Sequence, residues 1–179
     1  AVMLSAETAA GKYPSRTVSK MSEICLEAEK FVDGVVDNEF LDRTFKSIDQ
    51  SIAMASLFVA LHLQIKAIAS FTQSGSTALW ISRLNSGVPI YALTPEDSTR
   101  RRMSLYRDVE PIFLKHEQND REELIRIAEQ KLVDSNIVTE GDLIVVTIGE
   151  PIGQSGGTNT MKIVKVNVKP LNQAEQLRL

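Results

Sequence analysis

Between residues 66 and 168, short apolar runs alternate with helical periodicity, and this alternation limits the possible folds more than any other feature of the chain. Lys66–Phe71, Pro89–Leu93, Val109–Leu114, Asp142–Ile148 and Met161–Val168 read as strands. A helix from Thr77 to about Ser86, which Gly87 is placed to end, separates the first two. Pro95-Glu96-Asp97 opens another that closes near Tyr106, and Gln118–Asp134 repeats Leu124, Ile127, Ala128 and Leu132 on one face. Strands joined through helices run parallel, with helices covering both sides of the sheet. The last connection, Gly149 to Thr160, holds no helix, so the fifth strand returns antiparallel beside the fourth. The expectation is an α/β fold: a three-layer α/β/α sandwich around a five-stranded mixed sheet whose last strand is antiparallel.

Upstream, Asp49–Leu63 is a helix with Ala, Met, Leu and Phe over most of its surface, which predicts burial on more than one side; Ser47 or Asp49 can cap it. Val32–Lys46 is acidic and aperiodic and reads as a linker. Before it, Val18, Met21, Ile24, Cys25, Ala28 and Phe31 mark an amphipathic helix over Ser15–Phe31, with Pro14 and Ser15 as start signals. The apolar run Ala1–Leu4 predicts a buried strand, and the polar elbow Ser5–Thr8 a loop, completing one βα unit. A lone βα unit lacks a neighbouring strand, and there is no initiator Met, so the chain reads as a C-terminal piece of a larger α/β protein. Residues 1–31 are then the end of a preceding domain, 32–46 a linker and 47–179 the main domain.

The net charge of −3 offers no general attraction to nucleic acid or an anionic membrane, so neither is an expected partner. No apolar run approaches the ~20 residues that span a bilayer. Cys25 is alone, which suits a reducing compartment, and the expected location is cytoplasmic. His62 and His116 stand apart from each other and from any Cys or paired carboxylate, so no metal site is expected. Arg100, Arg101 and Arg102 point in different directions on a helix and, with Arg107, read as a solvated, ion-paired face. Asp120, Glu122 and Glu123 sit near a helix start, where they complement its dipole. Trp80 reads as core or interface.

Two loops hold candidate chemistry. Thr72-Gln73-Ser74-Gly75-Ser76-Thr77 follows the first strand and opens a helix. Its hydroxyls, the backbone access that Gly75 allows and the open N–H groups of a helix start together suit a phosphate. It is neither a dinucleotide fingerprint nor a Walker loop. An ordinary strand–helix turn with a Ser or Thr cap is an equal alternative. The second loop, Gly149 to Thr158, is rich in glycine and reads as a flexible lid or a long hairpin connection, with its length favouring the lid. With the first and fourth strands adjacent, their carboxyl ends bring this loop beside Ser74 and Thr77, where open α/β sheets place ligands.

Four motifs in order carry a resemblance. They are VMLSAETAAGKYP from Val2 to Pro14, Thr72-Gln73-Ser74-Gly75-Ser76-Thr77, Leu105-Tyr106-Arg107-Asp108-Val109-Glu110-Pro111, and Gly156-Gly157-Thr158-Asn159-Thr160-Met161. Together they resemble the pyruvate kinase family, in its bacterial form. The resemblance implies the end of the catalytic barrel followed by the C-terminal domain of an enzyme that moves a phosphoryl group from phosphoenolpyruvate to ADP in glycolysis, giving pyruvate and ATP. Magnesium and potassium serve that parent enzyme. Ser5 and Glu7 resemble residues at the barrel mouth, while the family's catalytic lysine, metal carboxylates and potassium ligands lie upstream of the matched region. The chain alone is therefore expected to be inactive and without a cofactor of its own.

By the same resemblance, Thr72, Gln73, Ser74, Gly75, Ser76 and Thr77 grip a phosphate of an allosteric effector, a sugar phosphate or AMP. Ser155, Gly156 and Gly157 belong to the flexible loop that folds over it. Many relatives carry Arg where this chain has Ser76, which removes a charge-assisted contact. Arg83 is either a substitute two helical turns on or a solvated surface residue. Family members are homo-oligomers, typically tetramers, and Met161–Val168 is an edge strand able to pair with its symmetry mate. A structural oligomerisation domain without effector is the alternative. A free-standing nucleotide-binding protein is disfavoured by a start in mid-strand.

Overall fold

The computed structural model describes residues 2–30, 44–115, 120–153 and 156–168. The chain divides into two compact units, Ala1–Val35 and Val36–Leu179.

The first unit holds two helices, α1 (Ala6–Ala9) and α2 (Pro14–Glu29). The strand expected over Ala1–Leu4 is not formed among its described residues. Val2 and Met3 are 64% and 82% exposed instead. Strand formation is non-local: an apolar tetrad without a partner ladder leaves its N–H and C=O groups unpaired and gains nothing by extending. The elbow expected as a loop winds into α1, because Thr8 and Ala9 both donate backbone N–H bonds to the Ser5 carbonyl, at 3.1 and 3.0 Å. In α2, Pro14 occupies the first turn, where its missing N–H costs nothing. The amphipathic stripe is present, but Val18 and Ile24 are more than half exposed. Phe31 lies outside the described residues.

The second unit is built on five strands, β1 (Ala67–Phe71), β2 (Ile90–Thr94), β3 (Val109–Phe113), β4 (Leu143–Gly149) and β5 (Thr158–Lys165). Their order is β3-β2-β1-β4-β5, with β5 antiparallel to β4 and every other pair parallel. Four helices complete it: α3 (Ile48–His62), α4 (Ser76–Arg83), α5 (Asp97–Met103) and α6 (Arg121–Asp134). The period-2 geometry of β1 sends Ala67, Ala69 and Phe71 to one face and Ile68 to the other. Leu124, Ala128 and Leu132 of α6 cover the first face, and Ala53, Leu57 and Ala60 of α3 with Ile81 of α4 cover the second. Met103 of α5, fully buried, packs with Ala78 and Ala92 in a smaller cluster. This is the expected α/β/α sandwich with a mixed five-stranded sheet. Where β1 meets β4, Thr147 donates its hydroxyl to Ser70 at 3.0 Å, so two polar side chains in the core satisfy each other.

Three local differences have physical causes. α3 buries one face only: Phe58 and Leu61 on its far side are 56% and 44% exposed, because the sheet offers it a single surface. α4 stops at Arg83, and Asn85 rather than Gly87 is the first residue beyond it to take a left-handed φ, of 51°. β5 starts at Thr158 rather than Met161, because Gly149 of β4 continues the ladder to Thr158 across an irregularity between Ile148 and Gly149. The helix start predicted at Gln118 falls outside the described residues, as does His116; α6 begins at Arg121 behind an Asp120 cap. Among the described residues no helix is long and apolar enough to cross a membrane.

Candidate functional site

At the carboxyl end of β1, Thr72 extends the ladder by donating its N–H to the Leu93 carbonyl at 3.0 Å. Its hydroxyl then accepts the Gly75 N–H at 2.8 Å, curling the loop back on itself. That curl needs φ of +79° at Gly75, a conformation natural to glycine. A Cβ there would also lie 3.1 Å from Met103 Cγ, so α5 backs the loop closely. Gly75 is the N-cap of α4 and provides no side-chain cap. The capped-turn alternative expected Ser or Thr in that role. The first-turn N–H groups of a helix have no intrahelical acceptors, and the Ser74 hydroxyl, which donates to Ser76 Oγ at 3.2 Å, is only a distant 3.4 Å acceptor for the Ser76 N–H.

The β4–β5 connection faces this loop. Its base is clamped by Asn159, whose side chain accepts the Glu150 N–H at 3.0 Å and donates to the Glu150 carbonyl at 2.6 Å. The Glu150 carboxylate accepts the Thr160 hydroxyl at 3.1 Å and lies 3.7 Å from Arg121. Gly149 permits a very close strand crossing, since a Cβ on it would sit 2.8 Å from the Gly157 carbonyl. Farther out, Gly153 and Gly156 take φ of 91° and 72° in open space. The two loops meet through a buried hydroxyl pair, Thr77 and Thr158, 2.6 Å apart. Between them lies a cleft of about 30 Å³ floored by Phe71 and Ile148.

Thr72, Gln73, Ser76, Thr77 and Gly156 all line that cleft. Ser74 and Gly75 belong to the same loop but do not line it. Gly157 contributes through its contact with Gly149, and Ser155 lies outside the described residues. Ser5 and Glu7 belong to the first unit and are exposed. There the Glu7 backbone N–H first, and the Ser5 hydroxyl at 3.1 Å second, hold the Glu7 carboxyl below its usual value. Arg83 lies over the Trp80 ring, 5.1 Å from its centroid, which fits the surface reading. His62 donates from Nδ1 to the Phe58 carbonyl of its own helix at 2.8 Å.

The three consecutive arginines lie at the surface as expected, but they have different partners. Arg100 and Arg101 are ion-paired on Asp97, as expected of a solvated face. Arg102 instead donates from Nη2 to the Ser74 carbonyl of the loop. A signal existed: β1 and β2 are parallel neighbours, so the elements after them stand side by side at the same end of the sheet.

The family model described as "Pyruvate kinase, alpha/beta domain" matches residues 50–164. The chain is 43% identical over 171 residues to a pyruvate kinase of Buchnera aphidicola subsp. Schizaphis graminum, covering 93% of this chain and 34% of that protein. It is 41% identical over 169 residues to pyruvate kinase II of Salmonella typhimurium, covering 93% and 35%. A pyruvate kinase of Staphylococcus aureus is 40% identical over 166 residues, covering 91% and 28%. The chain thus spans about a third of the length of the relatives it matches.

Proposed function

The chain belongs to the pyruvate kinase family and carries its C-terminal α/β domain, and from that premise we propose that it is the regulatory part of an enzyme transferring a phosphoryl group from phosphoenolpyruvate to ADP. In this reading a sugar phosphate or AMP binds between the 72–77 loop and the 150–157 connection. The observation that carries it is the buried bond between Thr77 and Thr158, which joins an uncapped, hydroxyl-lined helix start to a glycine-rich connection. Ligand sites in open α/β sheets lie at the carboxyl ends of strands where the chain order reverses. Here that point is between β1 and β4, and both loops leave from it.

The effector acts by favouring one arrangement of subunits, and only a difference in affinity between arrangements can drive such a shift. Magnesium and potassium belong, in this proposal, to the reaction of the whole enzyme in the cytoplasm. Among the described residues no group of three or more His, Cys, Asp or Glu side chains could hold a metal ion. The chain by itself is expected to be inactive.

A thermal-shift titration with fructose bisphosphate, glucose 6-phosphate, ribose 5-phosphate and AMP tests the effector reading, with inorganic phosphate as control. Binding at a hundred times Kd stabilises the fold by about 2.7 kcal/mol. A selective shift that Ser74→Ala and Thr77→Ala abolish is the expected result. A folded sample that shifts with none of them makes this a structural domain. A second reading, compatible with the first, is self-association through β5, which is an edge strand with Ile163 42% exposed.

A further inference from the structure

The loop proposed to hold a phosphate, Thr72 to Thr77, contains no charged side chain. Hydroxyls and backbone N–H groups can hold a phosphate monoester, but none of them carries the positive charge and forked donors that a guanidinium brings to a phosphate. We propose that Arg102 supplies that charge from outside the loop. It is a specificity-determining residue that contacts the phosphate of a phosphomonoester ligand. The inference rests on the effector reading of this loop and names the cation that reading lacks.

Two observations carry it. The first is the bond from Arg102 Nη2 to the Ser74 carbonyl. A peptide unit is planar and trans, so its C=O and the next N–H point in opposite directions. Turning the Ser74 carbonyl toward α5 turns the Gly75 N–H back into the loop, where Thr72 Oγ1 accepts it at 2.8 Å. Arg102 is therefore bonded to the loop at Ser74, next to Gln73, which lines the cleft. Met103, the next residue, lies against Gly75 and keeps α5 in place.

The second observation concerns charge. In the second unit, every other described arginine has a carboxylate or an aromatic ring as its partner. Among the described residues Arg102 bonds only to a backbone carbonyl and, at 3.5 Å, to the Thr99 hydroxyl. Neither group neutralises it. A guanidinium has five donors in a rigid fork, so most of its capacity is left for an anion. Its side chain is exposed, and its removal leaves the core untouched.

Calorimetric titration of the 179-residue chain with fructose bisphosphate, glucose 6-phosphate and ribose 5-phosphate tests this, using Arg102→Gln, Arg102→Lys and, as control, Arg101→Gln. Arg102→Gln should weaken binding by about tenfold or more, the scale of one charged hydrogen bond. It should also flatten the dependence of Kd on salt, because a charge has gone from the contact. Arg102→Lys should restore part of the affinity and the salt dependence, while Arg101→Gln should match the wild type. If wild type binds and Arg102→Gln binds equally well, this inference falls and the effector reading stands. Weaker binding with unchanged salt dependence and no rescue by lysine makes Arg102 a mere prop for the loop, which also overturns it. No binding by the wild type overturns both.

Discussion

Gly75 and Gly149 are glycines for different reasons, and the difference predicts what replacing them does. Gly75 needs its positive φ, and a Cβ would press on the flexible end of Met103. Gly75→Ala should therefore cost about 1–2 kcal/mol, the scale of a left-handed alanine, read from urea unfolding. At Gly149 the obstacle is the backbone carbonyl of Gly157, which cannot step aside. The sequence shows both as glycines in loops, but only the first role was legible, because it follows from a turn next to a helix. The second depends on where another strand passes. Arg102 was illegible for the same reason, since its acceptor lies 28 residues away in sequence. A further residue sets an acid limit. The Asp142 carboxyl is held below its usual value chiefly by the Thr139 backbone N–H, at 2.8 Å. A folded-state pKa below the unfolded one contributes stability above about pH 4, and that stability is lost as pH falls through the folded value. Asp142→Asn should flatten the acid side of a stability-against-pH profile, and an unchanged slope would refute the assignment.

The elements were legible where local pattern decides them. Each of the five predicted strands and the helices between them exists, since alternating apolar runs and 3.6-residue stripes are written into neighbouring residues. Their ends were less so. β5 reaches back into the polar stretch Thr158-Asn159-Thr160 because β4 provides a ladder there, and no propensity of those three residues announces it. The failed strand at the start of the chain is the converse case, with an apolar run and no ladder. α6 has a different dependence on its surroundings. Asp120 accepts the Glu122 N–H at 3.0 Å and satisfies one of the four donors a helix start leaves open. Asp120→Ala should cost about 1 kcal/mol in chemical denaturation. A cost near zero would mean that solvent serves that end equally well.

For the whole molecule, strand direction was the most legible property, because crossover helices force parallel strands and a helix-free return forces an antiparallel one. The strand order decides where the candidate cleft lies, between the loops leaving β1 and β4. It leaves β3 and β5 as the two edges. If β5 pairs with a second copy, sedimentation equilibrium should show a dimer that Ile163→Pro disrupts: Val166 donates inward to Asp142, so the alternate N–H groups of Ile163 and Lys165 face the open edge, and proline removes one of those donors. A wild-type chain that stays monomeric at high concentration would rule that out. Finally, the buried Thr77–Thr158 hydroxyl pair joins residues 81 apart in sequence, so the helix start and the β4–β5 connection become ordered together. Thr158→Val leaves the Thr77 hydroxyl buried without its partner, a loss of about 1–3 kcal/mol. Amide exchange should then quicken at both loops at once, and a change confined to one of them would show that the pair does not couple them.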